Sequence, residues 1–435
     1  MSILIKGKIH TGEKMIKGSI LIENEKISKV VVGEINQTVS EKIDFSNYEN
    51  IIILPGLIDI HTHLRDLDYS YKEDFISGTR AAAKGGYTII ADMPNTKPKT
   101  NNIKNLIEKN NLAKSKALID YALYYGFPNN EKDLGNEVTK LCSGIKFYSY
   151  EDYYFNENNE IIEKVFSFAY EENIPIIVHA ENPIFFKGSG SNFFDRPIEA
   201  EISAVKDFLE ISKKYNFHLH ITHISSAISV KIIEKHRFNG YANITIDTCP
   251  HYIFLDETSI RFLGSFAKVY PPLRKMSDCL YLLKSLKNGV IDIVSSDHAP
   301  HSFNEKMKPY EEAPAGIPGL ETTAPLLLTL VNKNEISIER FIELFSINPA
   351  KLLNIKKVGL IKEGYYGNIT IVDMKHEGEI KAEYFESKAK YSPFNNWKIK
   401  GKPIATIVRG KTVMLNDEVF NFIGWGKNVR TYDQY

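Results

Sequence analysis

The sequence predicts an α/β fold: one (β/α)8 barrel over residues 54–355, carrying a small β domain assembled from residues 1–53 and 356–435. Three observations predict it. From about Ile51, buried-looking apolar strands begin to alternate with amphipathic helices, the signature of βα units around a parallel sheet. Several of these strands end in a polar residue with no packing role, and polar groups gathered at the C-terminal ends of strands mark the working face of such a barrel. Both ends of the chain, by contrast, read as short strands punctuated by Gly and Asn.

The N-terminal strands are read at Ser2 to Ile5, Ser19 to Glu23 and Ile27 to Val32. Within the barrel, Leu57-Ile58-Asp59-Ile60 runs into His61-Thr62-His63, and Tyr87 to Ala91 into Asp92-Met93-Pro94-Asn95. Gly144-Ile145 leads to Lys146, Ile176 to Val178 leads to His179, and His218 to Ile221 leads to Thr222-His223. Ile291 to Val294 leads to Ser295-Ser296-Asp297. Helices fill the gaps, as in Ile161 to Glu172, where apolar residues at 161, 162, 165, 166 and 169 mark one face. The Tyr-, Asn- and Glu-rich stretch Tyr148 to Glu160 is the most loop-like piece of the barrel. Beyond Lys356 the helical pattern stops, and Leu360 to Asp373 and Ala405 to Leu415 read as strands with Gly turns.

A chain of 435 residues suits a barrel of roughly 250 residues plus a smaller domain. Lys and Arg number 54, as do Asp and Glu, so the net charge is zero and no general basic field exists to hold nucleic acid or an anionic membrane. The apolar runs are too short and interrupted to span a bilayer, and Met1 to Gly12 lacks the pattern of a signal peptide. The three scattered cysteines, Cys142, Cys249 and Cys279, suggest no disulfide framework, so a reduced cytoplasmic setting is expected.

The sharpest local signal is His61-Thr62-His63. Alternating strand positions point both imidazoles the same way, where they could share one zinc ion at about 2.0–2.1 Å. A plain hydrogen-bonded histidine pair is the bland alternative. Lys146 follows an apolar strand, where an unpaired ammonium would be costly; it must reach water or be chemically changed. His179 ends another buried strand, and a core histidine satisfied by backbone is its bland reading. Periodicity pairs His218 with His220 and sets His223 on the opposite face, and does not choose among the three. Asp297 could bind metal, move a proton or merely cap a turn. Cys249-Pro250-His251 reads better as a structural turn than as a ligand pair. Histidines, a lysine and an aspartate at five strand ends sum to a TIM-type metal-dependent hydrolase barrel.

The motifs then resemble a known family. Pro55 to Asp66 (PGLIDIHTHLRD) resembles the opening motif of dihydroorotases in the amidohydrolase superfamily, of the type with a bridging lysine. Ser296-Asp297-His298-Ala299-Pro300-His301, with Lys306 beyond it, resembles their second signature. Met93 to Thr96, Gly144 to Phe147, His179 to Asn182, Thr222 to Ser226 and Gly316 to Glu321 fall in the family's order, over nearly the whole chain. The resemblance implies that His61 and His63 hold one zinc and that His179 and His223 hold a second, which selects His223 over His218 and His220. It implies an N6-carboxylated Lys146 bridging both ions, and Asp297 as ligand of the first zinc and proton carrier. Arg65, Asn95 and His301 would bind the substrate carboxylate, with Ala315 and Gly316 against the ring.

The implied reaction is the reversible cyclisation of N-carbamoyl-L-aspartate to L-dihydroorotate and water, a step of pyrimidine biosynthesis. Allantoinase and dihydropyrimidinase or hydantoinase activity are the close rivals. They lack a carboxylated substrate, so Arg65 with Met93-Pro94-Asn95-Thr96 discriminates against them. A non-catalytic scaffold is the other alternative, disfavoured because all six implied ligands are present. A homodimer and an association with aspartate carbamoyltransferase are partners the resemblance admits. One departure stands out: relatives commonly carry Asn before Pro-Pro-Leu-Arg, where this chain has Tyr270. The segment Tyr148 to Glu160, following Lys146, is read either as a lid over the barrel mouth or as a surface excursion.

Overall fold

The computed structural model describes residues 2–154, 159–241 and 243–432. The chain opens with β1 (Ser2–His10), β2 (Met15–Glu23), β3 (Lys26–Val32), β4 (Glu41–Asp44) and β5 (Ile51–Pro55). The barrel strands follow: β6 (Leu57–Thr62), β7 (Tyr87–Asp92), β8 (Asp120–Gly126), β9 (Cys142–Tyr148), β10 (Ile176–His179), β11 (Leu219–Ile221), β12 (Ile244–Thr248) and β13 (Ile293–Val294). The chain ends with β14 (Ile369–Glu379), β15 (Lys398–Val408), β16 (Lys411–Leu415) and β17 (Glu418–Val419).

Strands β6 to β13 pair in sequence order, every neighbour parallel. A parallel bridge from Thr62 to His298, with His63 N donating to His298 O at 2.8 Å, brings β6 back against the chain leaving β13. This is the predicted (β/α)8 architecture. Strands β6 to β8 are buried along their whole length, as expected where helices cover the outside and side chains fill the inside. The helix Asn159–Glu171 turns Ile161, Ile162, Val165, Phe166 and Ala169 inward, the stripe its sequence marks.

The other strands form one sheet of order β17-β16-β15-β14-β5-β1-β2-β3, with β4 on β1, joining both ends of the chain. Strand β5 lies antiparallel to β14, so residues 51–55 belong to this sheet and the barrel strand begins after Gly56. A side chain at Gly56 would collide with Thr88, 2.3 Å from an added Cβ.

Several elements differ from their sequence reading. Strands β1 and β2 form one long hairpin, registered from Ser2 opposite Glu23 to His10 opposite Met15. Lys6 does not end the strand; it is buried and paired with Glu34 at 3.1 Å. The segment 360–368 is a turn in which Gly364 N donates to Ile27 O, and β14 starts only at Ile369. Residues 405–415 span a hairpin whose two-residue turn, Arg409-Gly410, has φ of 49° and 75°, the geometry that matches strand twist. Tyr148 ends β9, and Ser149–Asp152 forms a helical turn rather than a loop; residues 155–158 of the proposed lid lie outside the described residues. The three cysteines are buried and unpaired. No described helix is long and apolar enough to cross a membrane.

Candidate active site

The residues singled out at the strand ends converge on a cavity of about 260 Å³. It is lined by His61, His63, His179, His223 and Asp297, by Arg65, Asn95, His301, Ala315 and Gly316, and by Tyr148, Tyr150 and Tyr270. Lys146 lies beneath, fully buried in β9.

His61 is the penultimate residue of β6, and His63 follows the strand directly. Each imidazole has one nitrogen committed to a neighbour and the other turned inward. His61 Nδ1 lies 2.6 Å from Thr222 Oγ1, and His63 Nδ1 lies 2.7 Å from Asn95 Oδ1. An amide oxygen only accepts, so His63 carries its proton on Nδ1 and presents a lone pair at Nε2. The two Nε2 atoms stand 3.4 and 3.3 Å from Asp297 Oδ1. His61, His63 and Asp297 bring their donor atoms within 4.8 Å of one another.

His179 Nδ1 and His223 Nε2 lie 3.1 Å apart, with the His223 ring centre 5.2 Å from that of His61. His179 turns Nε2 outward to Glu181 Oε2 at 2.8 Å, and Arg196 donates to the same carboxylate oxygen at 2.5 Å. His223 sits just past β11 at φ 43°, its backbone N–H donating to Asp247 Oδ1 at 2.9 Å. Its Nδ1 is buried without a partner among the described residues. His220 is held elsewhere, by Asp247 Oδ2 at 2.7 Å, and His218 by Thr245 Oγ1 at 3.0 Å.

The electrostatics suit a cation centre. Burial first, then the positive field of Lys146, His223, His63 and His179, holds His61 well below the usual histidine range. Burial does the same for His223, with His179 and Lys146 adding to it, and it also lowers His63 and His179. All four imidazoles are thereby kept neutral, the form that ligates metal. The Lys146 Nζ has no hydrogen-bond partner among the described residues, and burial pushes its ammonium down to about 7 against the pull of Asp297, Asp247 and Asp152. A buried amine whose charged form is disfavoured, facing carboxylates and imidazoles, suits either a nearby cation or conversion to an anion.

Arg65 is nearly buried at φ 61°, followed by Asp66 at 44° and Leu67 at 50°. Three successive left-handed residues that are not glycine are strained, so the surroundings must hold them. The Asp66 carboxylate does so, accepting from Leu67 N at 2.8 Å and Phe75 N at 3.0 Å, with Lys116 Nζ at 3.0 Å. Arg65 Nε donates to Pro300 O at 3.1 Å, and its Nη2 lies 3.1 Å from His301 Nε2. His301 Nε2 also lies 3.0 Å from Ala315 O, and Lys72 Nζ reaches His301 Nδ1 at 3.0 Å. At Gly316, φ is 131° and an added Cβ would fall 2.4 Å from Ala299 O, so this backbone packs where no side chain fits.

Other sequence readings resolve as follows. Cys249 caps the short helix Pro250–Phe254, which makes Cys249-Pro250-His251 a structural turn. Tyr270 packs its ring 3.7 Å from the Arg196 guanidinium carbon, against the pair that orients His179. Sequence reasoning missed Asp247, Glu181 and Arg196. Asp247 accepts from His223 N and Ser295 Oγ as well as pairing with His220, stitching three barrel strands together. Burial pushes its carboxyl up, but these hydrogen bonds outweigh burial and hold it below the usual range. Its only sequence signal is a charge inside the apolar strand Ile244–Thr248.

The Amidohydrolase family profile matches residues 52–413. Among curated proteins the chain is 39% identical over 423 residues to a dihydroorotase of Pyrococcus horikoshii, spanning 96% of this chain and 93% of that one. It is 36% identical over 418 residues to a dihydroorotase of Methanosphaera stadtmanae, spanning 93% and 95%. Among solved structures it superposes on an L-hydantoinase (dihydropyrimidinase) from Arthrobacter aurescens with a TM-score of 0.89 at 27% identity, covering 98% of both chains. A dihydropyrimidinase from Brevibacillus agri gives a TM-score of 0.88 at 27% identity, over 99% of this chain and 98% of that one.

Proposed function

Because the chain belongs to the amidohydrolase family, we propose that it is a dihydroorotase, interconverting N-carbamoyl-L-aspartate with L-dihydroorotate and water in pyrimidine (UMP) biosynthesis. The reading is supported by dihydroorotase relatives aligned over almost the full chain. The observation that carries it is the buried Arg65, which lines the same cavity as the converging imidazoles, beside His301 and Asn95. A buried guanidinium is matched to a carboxylate, and dihydroorotate carries one on its ring whereas allantoin and dihydrouracil do not.

His61, His63 and Asp297 would hold one zinc ion and His179 and His223 a second, with Lys146, once N6-carboxylated, as a ligand that both could share. The donor set fits: four neutral imidazoles, a carboxylate, and a buried amine with no partner among the described residues. When bound, such a pair supplies an activated water and polarises the amide carbonyl. The chain's own residues do the rest. Arg65, His301 and Asn95 orient the ring through its carboxylate, and the backbone at Ala315 and Gly316 confines its edge. In ring opening, Asp297 takes the proton from the attacking water and delivers it to the leaving ring nitrogen; in ring closure it accepts the proton of the attacking carbamoyl nitrogen.

The test compares L-dihydroorotate, allantoin, hydantoin and dihydrouracil with one zinc-loaded preparation. Dihydroorotate should be turned over fastest. Faster turnover of an uncharged ring would move the chain to the hydantoinase group, with which it shares its architecture. No turnover of any ring, with the metal sites filled, would favour a scaffold.

A further inference from the structure

One buried polar group in the cavity wall has no task in the scheme above. The Tyr148 hydroxyl is shielded from solvent and has no hydrogen-bond partner among the described residues. An unmade hydrogen bond of this kind costs about 1–3 kcal/mol, so it persists where something offsets it. Two other tyrosines near the cavity are hydrogen-bonded: Tyr270 donates to Ser191 O at 3.5 Å, and Tyr391 accepts from His301 N at 3.1 Å.

Its position is specific. Tyr148 ends β9, two residues beyond Lys146, with the Lys146 Nζ 5.1 Å from its ring centre. Its ring centre lies 6.3 Å from that of His179, and the residue lines the cavity together with Arg65. A phenol O–H beside an anion donates to it. The cavity wall therefore offers a guanidinium and a phenol O–H, both donors, with no acceptor for the phenol among the described residues.

We propose that the Tyr148 hydroxyl is a substrate-binding group, donating to the same carboxylate that Arg65 grips and so selecting anionic over uncharged rings. This rests on the dihydroorotase reading. Among the described residues the hydroxyl has no partner to lose, so its removal should tell only once substrate is bound.

Tyr148→Phe removes the hydroxyl and keeps the ring. Metal content should be unchanged, and the melting temperature unchanged or raised, because an unsatisfied buried hydroxyl has gone. Orotate, a planar carboxylate analogue, should bind the metal-loaded variant about tenfold to a hundredfold more weakly, with kcat/KM for dihydroorotate falling alike. Unchanged orotate affinity overturns the proposal. So does a loss of activity that tracks a loss of metal, since the hydroxyl would then act through Lys146. A wild-type protein that binds orotate but does not turn over dihydroorotate sinks the functional reading alone, and the variant's orotate affinity still decides the role of Tyr148.

Discussion

Glu181 Oε2 lies 2.8 Å from His179 Nε2, which fixes the outer nitrogen of that imidazole and leaves Nδ1 facing His223. The carboxylate is fully buried and is itself held by Arg196 at 2.5 Å, whose guanidinium is covered by the rings of Tyr270 and Phe186. Partners of this kind set the tautomer and angle of a metal-ligating histidine, and losing one typically costs about 10–100-fold in metal affinity. Glu181→Gln keeps an acceptor for His179 but leaves a buried guanidinium without its counter-charge, a change worth about 3–5 kcal/mol. The variant should melt lower and, in a chelator challenge followed by metal analysis, release metal sooner than wild type. Wild-type retention would show that Glu181 serves the fold alone.

Arg65→Ala tests the carboxylate grip. Its two mapped contacts go to Pro300 O and His301, and neither goes to an imidazole assigned to metal. Metal content should hold while kcat/KM for dihydroorotate falls roughly tenfold to a hundredfold or more, the worth of about 1.5–3 kcal/mol for a charge-assisted contact. Unchanged kinetics would remove Arg65 from substrate binding.

Lys146 makes a prediction about the metal-free protein. Burial lowers its ammonium to about 7, against 10.5 for a lysine free in water. Between those values the unfolded chain holds a proton that the folded chain lacks, so this residue makes stability rise as pH rises from 7 to 10.5. Lys146→Met removes that component. Calorimetry of metal-free samples should find the variant favoured over wild type most at pH 7, with the difference shrinking towards pH 10. A difference independent of pH would show that Lys146 does not titrate within that window. In loaded protein the same substitution should abolish turnover, and wild type should regain more activity when reconstituted with bicarbonate than without it.

Much of this site can be read in the sequence because strand periodicity is local. His61 and His63 share a face by their spacing, and Arg65 lies two positions on. The choice of His223 cannot be read this way: His218 and His220 are set aside by Thr245 and Asp247, residues that follow them by more than twenty positions on another strand. Glu181 and Arg196 likewise meet across a loop that sequence spacing does not describe. In the fold, β8 and β12 escape notice because Tyr and Asp residues break their apolar runs, yet Tyr124 donates to Ile60 O and Asp247 ties three strand ends together. The long β1–β2 hairpin is masked by lysines whose partners lie elsewhere in the chain, as Glu34 does for Lys6.

Lys306 shows how a residue outside the cavity can govern what the cavity binds. Its buried Nζ donates to Pro314 O at 3.0 Å and Gly316 O at 2.9 Å, clamping the loop whose Ala315 carbonyl lies 3.0 Å from His301 Nε2. His301 in turn meets Arg65, so the ammonium sets the far end of the carboxylate-binding row. Lys306→Met keeps most of the volume but leaves two carbonyls without their donor, a loss of about 1–3 kcal/mol in place of the clamp. The loop should relax away from the ring edge. The loss is then expected mainly in KM, with kcat less affected and metal content unchanged, because no imidazole assigned to metal touches this loop. The exposed Lys308, two positions on, is the matched control, and Lys308→Met should leave both constants alone. Steady-state kinetics with metal analysis separates the cases: a fall in kcat at constant KM would mean that Lys306 acts on the reacting atoms and not on the loop.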